Sequence, residues 1–123
     1  PGVAARLGLV PEAGKPDVVF LSVSGFGQRG PYAERPCTDS VAQAFSGLVS
    51  LNEGADGVPH RTGPVMVADV VTGISAFAAV QAALAEQAAG RVAGAEPRPQ
   101  VLDVSLMQSA AALMGFNIAE QGL

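Results

Sequence analysis

The chain has no tryptophan, and among its 123 residues there is one cysteine, one histidine, one tyrosine and one lysine. Each scarcity excludes something. A lone cysteine, Cys37, cannot close an internal disulfide, which suits a reducing compartment and leads us to expect a cytoplasmic protein. A lone histidine, His60, has no second His or Cys at ligand spacing, so no metal site is expected. A thiol nucleophile built from Cys37 and His60 would need spatial proximity and a third, orienting group, neither of which the sequence supplies. The basic residues are scattered and the net charge is −4, so no nucleic-acid surface is expected. The opening residues, Pro-Gly-Val-Ala-Ala-Arg, lack the charged-then-apolar run of a secretory leader.

Long apolar runs are also few. Residues 65–85 come closest, at about the length of a bilayer span. Asp69 and Gln81 interrupt that run, its side chains are mostly small, and a carboxylate within lipid is costly. A buried helix of a soluble protein fits better, with no membrane partner.

What is present alternates between strand-like and helix-like segments. Residues 3–8 read as the tail of a helix, closed by Gly8 and Pro11. The apolar run 17–24 predicts a buried strand. A helix is expected over 40–51, with Val41, Phe45, Leu48 and Leu51 on one stripe and Asn52 as its stop. Residues 53–64 form a turn-rich connection around Asp56-Gly57. A long helix then covers 67–87 and ends at Gly90, with Val67, Val70, Ile74, Phe77 and Leu84 as its core stripe. A solvated linker over 90–99 precedes a short strand at 100–105 and a last helix from Leu106 carrying Met107, Ala111, Met114 and Ile118. Alternation of this kind indicates an α/β architecture without internal repeats. Two strands are too few for a stable sheet, so we expect a piece of a larger α/β protein.

The segment Ser22-Val-Ser-Gly-Phe-Gly-Gln-Arg-Gly-Pro-Tyr32 carries the first candidate site. Gly25, Gly27 and Gly30 spell the G-x-G-x-x-G of dinucleotide-binding folds, and Glu53 stands near the place of a ribose-binding acid. That fingerprint needs a helix opening through its third glycine, and Pro31 and Pro36 forbid one. The glycines therefore lead into an extended loop whose backbone lies close against a ligand or another segment.

Asp69 is the strongest candidate for chemistry. Thr72, Gly73 and Ala76 share its face of the long helix, leaving room beside the carboxylate. The helix dipole favours a negative charge in the first turn, and an open carboxylate in apolar surroundings can attack an activated acyl group. The plainer alternative is that Asp69 caps its helix. Asp39, just before Ser40, reads as a cap of the preceding helix and is the nearest carboxylate behind the glycine loop. Arg29 and Arg61 could bind phosphate or carboxylate.

Taken together, these residues resemble family III CoA transferases of the CaiB/BaiF type. The matching text runs from Val23 to Tyr32, through Arg35-Pro36, Asp39, residues 43–48, Pro59-x-Arg61-x-Gly63 and Ala68-Asp69-x-x-Thr72-Gly73, to residues 101–106. Order and spacing hold over nearly the whole chain. The resemblance implies the Rossmann-like large-domain portion of such an enzyme, whose intact members form interlocked homodimers. It implies transfer of CoA from an acyl-CoA donor to a small carboxylic acid through an aspartyl intermediate at Asp69, with coenzyme A as substrate and no permanently bound cofactor. Catalysis falls to Asp69 and Asp39, and substrate or CoA contacts to Gly25, Phe26, Gly27, Gln28, Gly30, Thr38 and Arg61. The chain corresponds to the central portion, without the family's N-terminal part and small C-terminal domain. It departs from the family in the longer, proline-containing stretch over residues 91–99. Two alternatives stand beside this reading. Related α-methylacyl-CoA racemases place a histidine where this chain has Thr38. A non-catalytic truncated homologue would keep only fold and dimer contacts.

Overall fold

A computed structural model describes residues 6, 18–96 and 98–121. The helix tail expected over 3–8 lies outside the described residues, apart from Arg6. The apolar run VFLSVS forms strand β1 (Val19–Ser24), and QVLDVS forms β2 (Gln100–Ser105). They pair in parallel and in register, Val19 opposite Gln100 and Ser24 opposite Ser105. A parallel pair needs a crossover connection. Here it contains helix α1 (Asp39–Phe45), a 3-10 turn (Leu48–Leu51) and the long helix α2 (Val67–Val92). After β2 the chain continues into α3 (Leu106–Leu113) and α4 (Gly115–Gln121).

α2 packs against both strands and against α1 and α3. By length and composition alone it is long and apolar enough to cross a membrane. The two strands end level with one another, so the glycine loop and α3 leave from the same carboxyl edge of the sheet. A hydrogen bond from the Met107 N–H to the Gly25 carbonyl (3.0 Å) ties these two departures together. In open α/β sheets ligands bind beyond this edge.

The core beneath it is made of small side chains. Ala42 on α1, Ala68 on α2 and Ala110 on α3 are fully buried against one another, with Cys37 and Leu106 packed on them. Alanine at all three positions lets three helix backbones approach closely around the first turn of α2.

Several expectations are corrected. The helix expected over 40–51 is two elements, because the chain turns at Gly47 (φ +83°) and resumes as a single 3-10 turn before Asn52. Its buried face is Ala42 and Gln43, while Phe45 and Leu51 are exposed. The long helix passes through Gly90 and ends five residues beyond the expected limit, at Val92. Gly94 (φ +71°) adopts the left-handed conformation there; its N–H reaches the Arg91 carbonyl (3.1 Å), and that of Ala95 reaches Gly90 (2.9 Å). That pair of bonds is a Schellman closure, and only glycine adopts its left-handed residue without strain.

The expected core stripe of α2 is also wrong. Val70, Ile74, Phe77 and Leu84 are exposed, and Ala68, Thr72, Ala76 and Ala83 are buried. Close packing selects the small side chains for the inner face, so hydrophobicity alone misplaces it. The last helix breaks at Met114, which is buried, while Ile118 is exposed.

Candidate active site

Asp39 is the first residue of α1, and Thr38 before it makes no side-chain cap bond. Its carboxylate is buried and serves a different helix. Oδ2 accepts the N–H of Ala68 (2.7 Å) and of Asp69 (3.1 Å), the second and third residues of α2. Met66, at the cap position of α2, has no side chain able to do this. A residue far away in sequence therefore supplies the acceptor that an N-cap serine or aspartate would normally provide. Asp39 is a cap, as the sequence implied, but of α2 rather than of its own helix.

The other carboxylate oxygen is held as well. Gln43, one turn along α1 and fully buried, donates through Nε2 to Asp39 Oδ1. Its amide oxygen accepts the N–H of Thr62 (2.8 Å), next to Arg61 on the connecting loop. Thr72 closes the same turn of α2 by donating its hydroxyl to the Ala68 carbonyl (2.6 Å).

Asp69 is left with an anchored main chain and an exposed side chain. Among the described residues its carboxylate makes no hydrogen bond or ion pair, so it does not cap its own helix. It faces an open cleft of about 320 Å³, lined by Cys37, Thr38, Asp39, Ser40, Arg61, Met66 and Asp69. The Arg61 side chain is exposed and unpaired among the described residues, placing one cation in the same cleft. The Cys37 thiol is pushed above its ordinary pKa, first by burial and then by the negative charges of Asp69 and Asp39. It is thus held as a thiol, a weak nucleophile.

The glycine loop stands behind this cleft. At Gly25 a Cβ would fall 2.2 Å from the Cβ of Cys37, so only glycine permits the contact. The Gly27 N–H donates to Ser24 Oγ (3.0 Å) and that of Gln28 to Asp103 Oδ2 (2.9 Å), folding the loop back on the sheet edge. No helix follows before residue 39. Phe26 is buried in an aromatic triad with Tyr32 and Phe45, ring centroids 5.1–5.4 Å apart. The Arg35 guanidinium lies 5.3 Å from the Tyr32 ring centroid. Such contacts contribute about 1 kcal/mol each and fix the loop to the end of α1.

The structure thus gathers Asp69, Asp39, Thr38 and Arg61 in one cleft. Phe26, Gly27, Gln28 and Gly30 are not among its lining residues, and Gly25 touches it through Cys37. His60 is not among the lining residues either and is paired with the exposed Asp56 (3.2 Å). Among the described residues no three His, Cys, Asp or Glu side chains cluster to hold a metal ion. Sequence reasoning assigned no role to Gln43, Ser40 or Met66. For Gln43 a signal existed, since Asp39 and Gln43 are four apart and share a helix face; for Met66 there was none.

Comparison with known proteins identifies the family. The family model for CoA-transferase family III matches residues 1–123. The chain belongs to that family. It is 45% identical over 69 residues to a succinate–glutarate CoA-transferase of Agrobacterium fabrum, covering 56% of this chain and 17% of that protein. It is 39% identical over 87 residues to an acetyl-CoA:oxalate CoA-transferase of Acetobacter aceti, covering 68% of this chain and 22% of that one. A CaiB/BaiF family protein from Brucella suis superposes with a TM-score of 0.80 at 30% identity, covering 99% of this chain and 32% of the other. The mixed α/β fold is that of this family, and the chain spans about a third of the solved relative's length.

Proposed function

We propose that the protein containing this chain transfers CoA from an acyl-CoA donor to a small carboxylic acid, with Asp69 as the covalent nucleophile. The observation that carries this reading is the pairing of an anchored backbone with an unpaired carboxylate at the mouth of the cleft. Asp69 would attack the thioester carbonyl, break the C–S bond and release CoA thiolate, leaving a mixed anhydride. The thiolate then attacks the aspartyl carbonyl, expels the donor's carboxylate and forms an aspartyl-CoA thioester. The acceptor carboxylate attacks that thioester in turn, and the returning thiolate takes the acceptor's acyl group and frees Asp69. No redox partner or external proton is required.

Within this scheme Asp39 does not act as a proton carrier, since both its oxygens are occupied; it holds Asp69 in place. Arg61 suits an anionic group on either substrate, a carboxylate or a CoA phosphate. The named relatives act on glutarate and oxalate, and we extend to this protein a small carboxylic acid as acceptor. A cytoplasmic homodimer completes the reading. A racemase is disfavoured by Thr38, whose hydroxyl is a poor acid or base near neutrality.

The test is to incubate the native protein with mixed acyl-CoAs, add hydroxylamine and map the modified peptide. A hydroxamate on Asp69 is the expected outcome, and Asp69→Asn should abolish transfer while leaving the thermal melt unchanged. An Asp69→Asn variant that still transfers CoA would sink the assignment. CoA binding without any adduct, together with exchange of the α-proton in D2O, would favour the racemase. Absence of CoA binding would favour a non-catalytic homologue.

A further inference from the structure

We propose that Gln43 is a positioning residue that sets both charged walls of the cleft at once, acting through Asp39 on Asp69 and through Thr62 on Arg61. The proposal rests on the reading of Asp69 as nucleophile.

The polarity of the amide makes the argument. Asp39 Oδ1 only accepts, so the amide nitrogen of Gln43 must face it; the Thr62 N–H only donates, so the amide oxygen must face that. The opposite orientation would break both bonds. Gln43 therefore braces Asp39, the carboxylate that caps α2, and ties α1 to the connecting loop with one rigid group, and it is wholly buried while doing so. No side chain of similar size matches both partners at neutral pH. Leucine leaves the Thr62 N–H without a partner and deprives Asp39 of a donor. Asparagine is one methylene too short. Glutamate fills the same volume but meets Asp39 as a second carboxylate, unless it takes up a proton. Protonated, it donates to Asp39 and accepts from Thr62, restoring both bonds.

Glutamate at this position would therefore make the site pH-dependent in a direction opposite to the usual acid loss. Burial and the neighbouring Asp39 both raise the affinity of such a carboxyl for its proton. The titratable and charged groups lining the cleft beside the network are Asp39 and Cys37 around the start of α1, Asp69 on α2 and Arg61 on the loop. The 3-10 turn and α3, which also pack against α1, carry no charged residue.

The experiment compares native protein, Gln43→Glu and Gln43→Leu by steady-state transfer from pH 5.5 to 8.5, with amide hydrogen exchange at Thr62, Ala68 and Asp69. A misplacement of about 1 Å at a reacting group costs about 100-fold, so Gln43→Glu should fall by that order in kcat at pH 8. Its ratio to native kcat should climb as pH falls. Gln43→Leu should be low at every pH, with a raised KM for acyl-CoA from the loosened Arg61 loop. Exchange at the three amides should accelerate in Gln43→Leu, and in Gln43→Glu only at high pH.

A folded Gln43→Leu with native kcat, KM and exchange would overturn the proposal, as would a Gln43→Glu ratio that stays flat with pH. Should Gln43→Leu fail to fold, the pH dependence of Gln43→Glu decides alone. Native protein that forms no adduct at Asp69 would instead remove the nucleophile reading and the catalytic half of this proposal. The exchange data would still judge the mechanical half.

Discussion

The two ends of α2 are closed by opposite means. At the carboxyl end the helix closes itself, with Gly94 turning left-handed and two backbone N–H groups returning to Gly90 and Arg91. The cavity of about 240 Å³ beside it is lined by residues from Glu86 to Gln100, all neighbours in the chain. At the amino end the closing carboxylate comes from α1, 29 residues before Ala68. It is buried, and it is held by a glutamine that also grips a loop. One end is a local device that any sequence with a glycine in the right place can build. The other exists only when three separate segments have folded together, and the candidate nucleophile stands there. A reactive group placed on a helix terminus of the second kind is ordered by the whole domain rather than by its own neighbours.

Substitutions that strike each end separately should break or sharpen this contrast. The largest effect is expected for Asp39→Ala, which leaves the N–H groups of Ala68 and Asp69 unpaired and the Gln43 amide without its acceptor. We expect a loss of about 3 kcal/mol in urea unfolding, together with loss of transfer. A variant with native stability would show that the amino end does not need its distant cap. Gly94→Ala, at the other end, should cost about 1 kcal/mol through the left-handed backbone. Its transfer rate should be unchanged, and a drop in kcat would show that the two ends are coupled.

The smallest effect concerns Cys37. Its pKa is raised in the folded protein, so its contribution to stability is complete below the unfolded thiol's ordinary value and fades as pH rises through the folded one. Alkylation at pH 8 should accordingly be slower than for an unfolded thiol. Asp69→Asn removes one of the charges that raise the pKa and should speed alkylation severalfold. An unchanged rate would separate Cys37 electrically from Asp69.

The strands and the glycine loop were legible because their signals are local. β2 has the limits that residues 100–105 predict, and Pro31 and Pro36 exclude a helix after the glycines by steric rules acting over a few residues. The inner face of α2 was not legible. Its large apolar side chains implied one stripe, whereas the small ones are buried, Ala68 among them against Ala42 and Ala110. Within the site, Asp69 and Asp39 could be picked out as carboxylates in suggestive places, but which helix Asp39 serves depends on tertiary contact. Half of the role of Gln43 was legible, in its spacing of four from Asp39; the other half was hidden, because its second partner, Thr62, lies 19 residues away across a turn-rich loop.

The bond between Asp39 and Gln43 also constrains how this sequence can drift. Asp39→Asn offers one acceptor where two are used: either the N–H groups of Ala68 and Asp69 lose theirs, or the amide at 43 turns over and strands the Thr62 N–H. Any single change at 43 that removes a donor strands Asp39. Neither position can change first without weakening the protein, so substitutions at the two are expected to be energetically coupled.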